Sequence, residues 1–110
     1  MEIKRGAIVL AVHADLGKPR PAVVVQIDEL NATSSHILVC PLTSDITDKI
    51  ARRPVIQPSP GTGLREPSQI MVDRMLALRS DRIRVVLGYL DAATTDQLDR
   101  ALLVVLGLAR

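Results

Sequence analysis

Aromatic side chains are almost missing from this chain of 110 residues: it has one tyrosine, Tyr89, and neither phenylalanine nor tryptophan. A hydrophobic core must therefore be assembled from Val, Leu, Ile and Ala. Cysteine is nearly as scarce. The single Cys40 excludes an internal disulfide framework and suits a reducing compartment. Long apolar runs are missing too. "MEIKRGAIVLAVHADLG" carries charge at Glu2, Lys4 and Arg5, then seven apolar or small residues before His13. That is too short for a membrane-spanning helix, and the layout of a secretory signal is lacking. A cytoplasmic protein with no membrane partner is expected, in which the sequon at Asn31 carries no meaning.

Catalytic signatures are missing as well. The sequence holds no glycine-rich phosphate loop, no GxSxG, no CxxC and no HExxH. His13 and His36 fall on different expected strands without acidic spacing around them, so neither a metal site nor a cofactor is expected. Cys40 lies among Ile37, Leu38 and Val39 and reads as a buried, inert thiol. What is present is a 47% hydrophobic chain, enough for one small globular domain over residues 1–110, with a net charge of +2 and a pI near 9.1. This mild basic bias permits an anionic partner without requiring one.

Short β-rich segments follow one another. Residues 6–13 read as a first strand and 21–28 as a second, with Pro19 and Pro21 confined to its entry. Residues 29–35 are a polar connection with a turn of helix as its alternative, and 36–44 a third strand broken or bulged at Pro41. After the charged stretch 45–53, residues 54–57 read as a short edge strand and 58–67, with three prolines and two glycines, as a surface loop. Residues 68–73 return to strand. Residues 75–83 are ambiguous between strand end and helical turn, and 84–90 between a strand and the approach to the last helix. That helix is the clearest element: Asp91 is the expected N-cap, Leu98, Ala101, Leu102 and Val105 the apolar face, and Gly107 the stop. The pattern predicts a small, mostly antiparallel coiled β-barrel with one C-terminal helix.

Polar groups then gather at strand ends. Arg20, between two prolines, opens strand two; Thr43 and Ser44 close strand three; Asp73 and Arg74 end residues 68–73. If strands two and three are antiparallel neighbours, Arg20 and Thr43 meet at one rim. A guanidinium, a hydroxyl and a carboxylate converging there would suit a phosphodiester. Ordinary solvated strand ends are the bland alternative.

In order along the chain, "RG" at 5–6, "RPAVVVQ" at 20–26, "PLTS" at 41–44, "VD" at 72–73, "DRI" at 81–83 and "LDRALLVVLGL" at 98–108 resemble the MazF/PemK (Kid) toxins of type II toxin–antitoxin modules. The resemblance implies an SH3-like barrel of the PemK/CcdB toxin type. It also implies a sequence-specific, metal-independent endoribonuclease that cleaves single-stranded mRNA and so blocks translation. In that family the ribose 2′-OH attacks phosphorus, leaving a 2′,3′-cyclic phosphate and a 5′-OH. Arg20 matches the family's charge-stabilising arginine, Thr43 the threonine that holds the scissile phosphate, and Asp73 an acidic residue of the site in one branch. The base stays open among Asp73, His13 and Asp15. With one aromatic for stacking, RNA recognition is expected to use Lys18, Ser44, Arg52, Arg53, Arg74 and His13, with Arg65 and Arg79 as further cations.

Family members are homodimers held in check by an antitoxin with an acidic, partly disordered tail. Departures from the pattern gather at residues 73–77, "DRMLA", where the family reads "EQIRT" or "DQPRT": Arg74, Leu76 and Ala77 replace Gln, Arg and Thr. Met71 stands where one branch has arginine, and Ala7 where an acidic residue is usual. A gyrase-poisoning toxin of the same fold is the second reading. An inert SH3-like binding module is a third, which a structural ion pair at a buried Arg20 would favour.

Overall fold

The computed structural model describes residues 2–14 and 17–109. Within them the elements run β1 (Ala7–Ala11), β2 (Arg20–Val24), α1 (Asp28–Thr33), β3 (His36–Thr43), β4 (Val55–Ile56), β5 (Ser68–Ile70), β6 (Leu76–Arg79), β7 (Ile83–Tyr89) and α2 (Ala92–Val105). All pairings are antiparallel, in the order β4-β5-β3-β2-β1-β7, with β6 also paired to β3.

The central strands are apolar without alternation because both of their faces are covered. Ile8, Val23, Cys40 and Leu42 point into one core with Leu98, Ala101 and Leu102 of α2. Ala7, Val9, Ala11, Ala22, Val24 and Val39 point into a second core with Ile37, Leu78 and Ile83. Neither core holds an aromatic ring. Each depends on many aliphatic contributions of roughly 1.5–3 kcal/mol per buried side chain. Arg5 ties the entrance of β1 to both helices: its Nε donates to the Val25 carbonyl at 2.8 Å, its Nη2 meets Asp99 at 2.8 Å, and its backbone N–H donates to Asp28 at 2.7 Å.

Several expectations are corrected. The third strand is continuous through Pro41. Its missing N–H falls where β3 exchanges β6, paired to residues 36–39, for β5, paired to 42–43, and the Met71 carbonyl across from it accepts from Arg74 N at 3.0 Å instead. The segment 68–73 is strand only to Ile70. Met71 makes the last cross-strand bond, to the Pro41 carbonyl at 2.9 Å, and Val72–Arg74 then form a 3₁₀ turn that plugs Val72 into the core. In the polar connection the helical alternative holds, over residues 28–33, steadied by Asn31, which donates to the Gln26 carbonyl at 2.9 Å. Strand two correspondingly ends at Val24. The ambiguous stretches resolve into β6, a 3₁₀ turn at Ser80–Arg82, and β7.

Asp91 caps α2 by accepting from Thr94 N at 2.7 Å, as expected. Val105, expected on the buried face, is 40% exposed because the last turn overhangs the sheet. Beyond the helix, Leu108 and Ala109 fold back to donate to the Leu103 carbonyl around Gly107.

Loop 58–67 seals the outer edge of β7. Tyr89 N–H donates to the Gly61 carbonyl at 2.9 Å. The approach is so close that a β-carbon on Gly63 would strike the Leu87 carbonyl, and one on Gly88 the backbone of Gly61 and Thr62. The loop's fixed position matters because its residues 63–66 form one wall of the groove described next. Among the described residues, no helix is long and apolar enough to cross a membrane.

Candidate active site

Arg20 is delivered by β-pairing. β1 sets Ala11 opposite Arg20, and β2 sets Ala22 opposite Pro41. The second register is antiparallel and its last pair, Ala22 with Pro41, lies two residues short of Arg20 on one strand and of Thr43 on the other, so both residues stand at one rim of the sheet. Pro19 and Pro21 flank the arginine, fixing φ on either side and leaving its backbone few alternatives. Among the described residues Arg20 enters no ion pair and its side chain makes no hydrogen bond. Half-buried and unneutralised, its guanidinium is available to an incoming anion. The feature that would have favoured an inert module is not there.

Thr43 is held from two sides. Its Oγ1 accepts from Asp45 N at 3.1 Å, which bends the chain away just past the strand. Gln69 lies directly across from it on β5. Though polar, Gln69 is buried, and its amide clamps residue 47: Nε2 donates to the Thr47 carbonyl at 2.6 Å and Oε1 accepts from Thr47 N at 3.3 Å. Sequence reasoning passed over Gln69. Its signal was an amide inside an apolar strand, which must find internal partners when buried.

Beside this rim runs a groove of about 640 Å³. Leu10, Pro21, Leu42, Leu64 and Leu87 give it an apolar lining, and Lys18, Arg20, Ser44, Arg65, Glu66 and Ser68 a polar one. Three of the expected RNA-contacting residues, Lys18, Ser44 and Arg65, thus share one depression with Arg20. Glu66, also overlooked in the sequence, is the carboxylate among them. Its backbone is pinned by Ser68 Oγ, which donates to the Glu66 carbonyl at 3.1 Å.

The remaining expected residues lie elsewhere. β5 runs antiparallel to β3, so the chain leaves the Thr43 end at Gln69 and moves away from the rim before it reaches Asp73. Asp73 is gripped there by Arg53 in a two-pronged pair, Nε to Oδ1 at 2.8 Å and Nη2 to Oδ2 at 3.0 Å. This contact holds the Asp73 carboxyl below the usual carboxylate range and raises Arg53 further, partial burial opposing both shifts. The arginine side chain is 4% exposed and the aspartate 35%, which makes the pair part of the framework joining residue 53 to the 3₁₀ turn. Arg53 and Arg52 line a separate cleft against Gln97, Arg100 and Leu103 of α2. Arg74 is exposed next to Asp73, and His13 borders a third cleft with His36 and Arg82. Asp15 lies outside the described residues. Among those residues, no group of three or more His, Cys, Asp or Glu side chains is arranged to hold a metal. Cys40 is fully buried, and burial, with Asp73 adding to it, pushes its thiol up to about 12.

Residues 4–106 match the family model described as PemK-like, MazF-like toxin of type II toxin-antitoxin system. Over 109 residues the chain is 38% identical to a "Probable endoribonuclease MazF" of Mycolicibacterium smegmatis, covering 97% of this chain and 99% of that protein. Its fold is similar to that of Mycobacterium tuberculosis toxin MazF-mt6, with a TM-score of 0.82 at 20% identity over 94% of this chain and 99% of that one. It is also similar to an endoribonuclease from a mycobacterial species solved in complex with its cognate antitoxin, with a TM-score of 0.80 at 20% identity over 99% and 97% of the two chains.

Proposed function

The chain belongs to the PemK-like, MazF-like toxin family of type II toxin–antitoxin systems, and we propose that, as an endoribonuclease of that family, it cuts single-stranded RNA where Arg20 and Thr43 share one rim. The observation that supports this reading is an unpaired, half-buried arginine at the mouth of β2, fixed by its pairing with Ala11, at the rim where β3 ends in Thr43 and at the lip of a groove with cationic walls.

The chemistry follows from the residue types. The 2′-OH attacks the adjacent phosphorus in line. The O2′–P bond forms as the P–O5′ bond breaks, leaving a 2′,3′-cyclic phosphate and a 5′-OH. Negative charge builds on the non-bridging oxygens of the phosphorane, and the Arg20 guanidinium, which stays protonated, supplies the opposing charge and paired donors. Thr43 Oγ1 holds the phosphate. Glu66, the carboxylate on the groove wall, takes the 2′ proton, and water returns one to O5′. Lys18, Ser44 and Arg65 hold neighbouring nucleotides, with recognition resting on hydrogen bonds and phosphate contacts where stacking is scarce. Asp73 and Arg53 support the scaffold.

Cutting of mRNA arrests translation until a cognate antitoxin, with an acidic tail suited to the same cationic groove, covers it. A second copy of the chain completes the assembly in the cytoplasm. The apolar side chains left exposed on β7, Val85 and Tyr89, and at the end of α2 support that dimer.

The test is direct. The purified protein is incubated with a long unstructured RNA in EDTA beside an Arg20→Ala variant, and the new 5′ ends are mapped. Discrete cuts by the wild type, weakened at least ~10²-fold in the variant, are expected from the loss of one charge-stabilising donor. No cutting, or equal cutting by both chains, would overturn the assignment. A gyrase supercoiling assay on the same preparations distinguishes the gyrase-poisoning reading.

A further inference from the structure

The connection between β1 and β2 serves two depressions. Its returning leg, Lys18 to Arg20, lines the groove of the proposed cutting site. Its outgoing leg, residues 12–14, lines a separate cleft of about 460 Å³. Among the described residues two histidines, His13 and His36, and two arginines, Arg79 and Arg82, make up four of the seven that line it, and none of those seven is acidic. The elements that bring them together are far apart in sequence. His36 opens β3, Arg79 closes β6 opposite it, and Arg82 precedes β7. The Arg82 carbonyl accepts from Val12 N at 3.0 Å, which fixes the outgoing leg against this corner.

The cations are accessible. Arg79 pairs with Asp81 at 2.8 Å, but both side chains are more than half exposed, and a surface pair of this kind is easily exchanged for another anion. Arg82 is exposed and enters no ion pair among the described residues. The His36 ring, at the exposed start of β3, meets Ser35 Oγ through Nδ1 at 2.9 Å.

We propose that this cleft binds backbone phosphates of the RNA strand flanking the nucleotides held in the groove. The inference rests on the proposed function. Two points on the molecule favour RNA over another polyanion. The cleft and the groove border opposite legs of one connection, beginning at the Ala11–Arg20 pair, so one strand can run from one to the other. With Tyr89 the single Phe, Tyr or Trp of the chain, binding rests on phosphate contacts more than on stacking, and these add up along a longer cationic track.

The experiment uses the full chain carrying Arg20→Ala, so that no RNA is consumed, and fluorescence anisotropy with oligouridylates of about 5 and about 15 nucleotides across a salt series, lengths chosen to sample one site or both. The longer RNA is expected to bind more tightly with a steeper salt slope. Adding Arg82→Ala lowers that slope by roughly 0.7, one phosphate contact on a single strand, and weakens the longer RNA several-fold. Arg82→Glu weakens it further, and neither changes binding of the shorter RNA or the thermal midpoint. Unchanged affinity and slope for the longer RNA in both variants would overturn the proposal. So would Arg82-dependent capture of poly-glutamate without any Arg82 effect on RNA, which would make the cleft a site for acidic polypeptide. Failure of the wild type to cut RNA would instead strike the proposed function, and the two failures are read in different assays.

Discussion

Replacing Asp73 by Asn separates a catalytic carboxylate from a framework one, because the two roles predict opposite results. In the fold, Asp73 is one half of the fork with Arg53, whose guanidinium is almost wholly buried. Hydrogen bonds to charged groups contribute about 1.5–3 kcal/mol, and breaking a fully buried pair costs about 3–5 kcal/mol. Since Asp73 keeps 35% of its exposure, water relieves part of that loss, and about 2–3 kcal/mol is the expected destabilisation. With an unfolding entropy near 2.1 cal/mol/K per residue, a 110-residue chain should melt roughly 9–13 °C lower. The pH dependence has a definite sign. The folded Asp73 carboxyl lies below its unfolded value because Arg53 favours the ionised form. Its contribution is therefore complete above about pH 4, the ordinary range for Asp, and is lost as pH falls through the lower folded value. The stability gap between wild type and Asp73→Asn should be flat near neutrality and shrink in acid. An Arg53→Met, Asp73→Asn double variant should recover part of the loss, since no guanidinium is then left buried without its partner. Calorimetry gives the midpoints, and RNA cutting well below them gives the rates. Cutting within about threefold of wild type is expected, against the ~10²–10⁴ of a lost general base. A fall of that size with an unchanged melting point would refute the framework role and return Asp73 to the reaction.

Three further outcomes are expected. Glu66→Gln should lower cutting by ~10²-fold or more while leaving the Kd for an RNA blocked at the 2′ position within twofold of wild type; undiminished cutting would remove Glu66 as the proton acceptor. Gly63→Ala, at φ +69 with the Leu87 carbonyl in the way of any β-carbon, should destabilise by about 2–4 kcal/mol, and a melting point equal to wild type would show that the loop does not need this approach to β7. Cys40, with its thiol pushed up to about 12 by burial, should resist alkylation at pH 8 in the native chain and react on unfolding, and labelling at the rate of a free thiol would show that its strand opens readily.

The sequence and the fold agree where the information is local or carried by adjacent strands. Arg20 and Thr43 could be placed at one rim because β2 and β3 are consecutive antiparallel neighbours, and their separation from the strand ends is countable along the chain. The α2 cap and buried face followed from side-chain chemistry within a single helix. Asp73 was misplaced because its surroundings are not local. The apolar run 68–72 looks like uninterrupted strand, and nothing within it announces that the ladder ends at Met71 or that a partner waits 20 residues upstream at Arg53. The alternation of charge and hydrophobe across 75–90 suited strand or turn equally, and the choice was made by β3 and β1, which needed edge partners there. Gln69 and Glu66 share this character. Gln69 stands out only as an amide in an apolar strand and Glu66 not at all, and the position of each is set when β5 closes on β3 and loop 58–67 folds against β7. The arginine could be picked out early because a proline on either side limits its own backbone. The residues that hold Thr43 in place could not, because the constraint on them comes from strands elsewhere in the sheet.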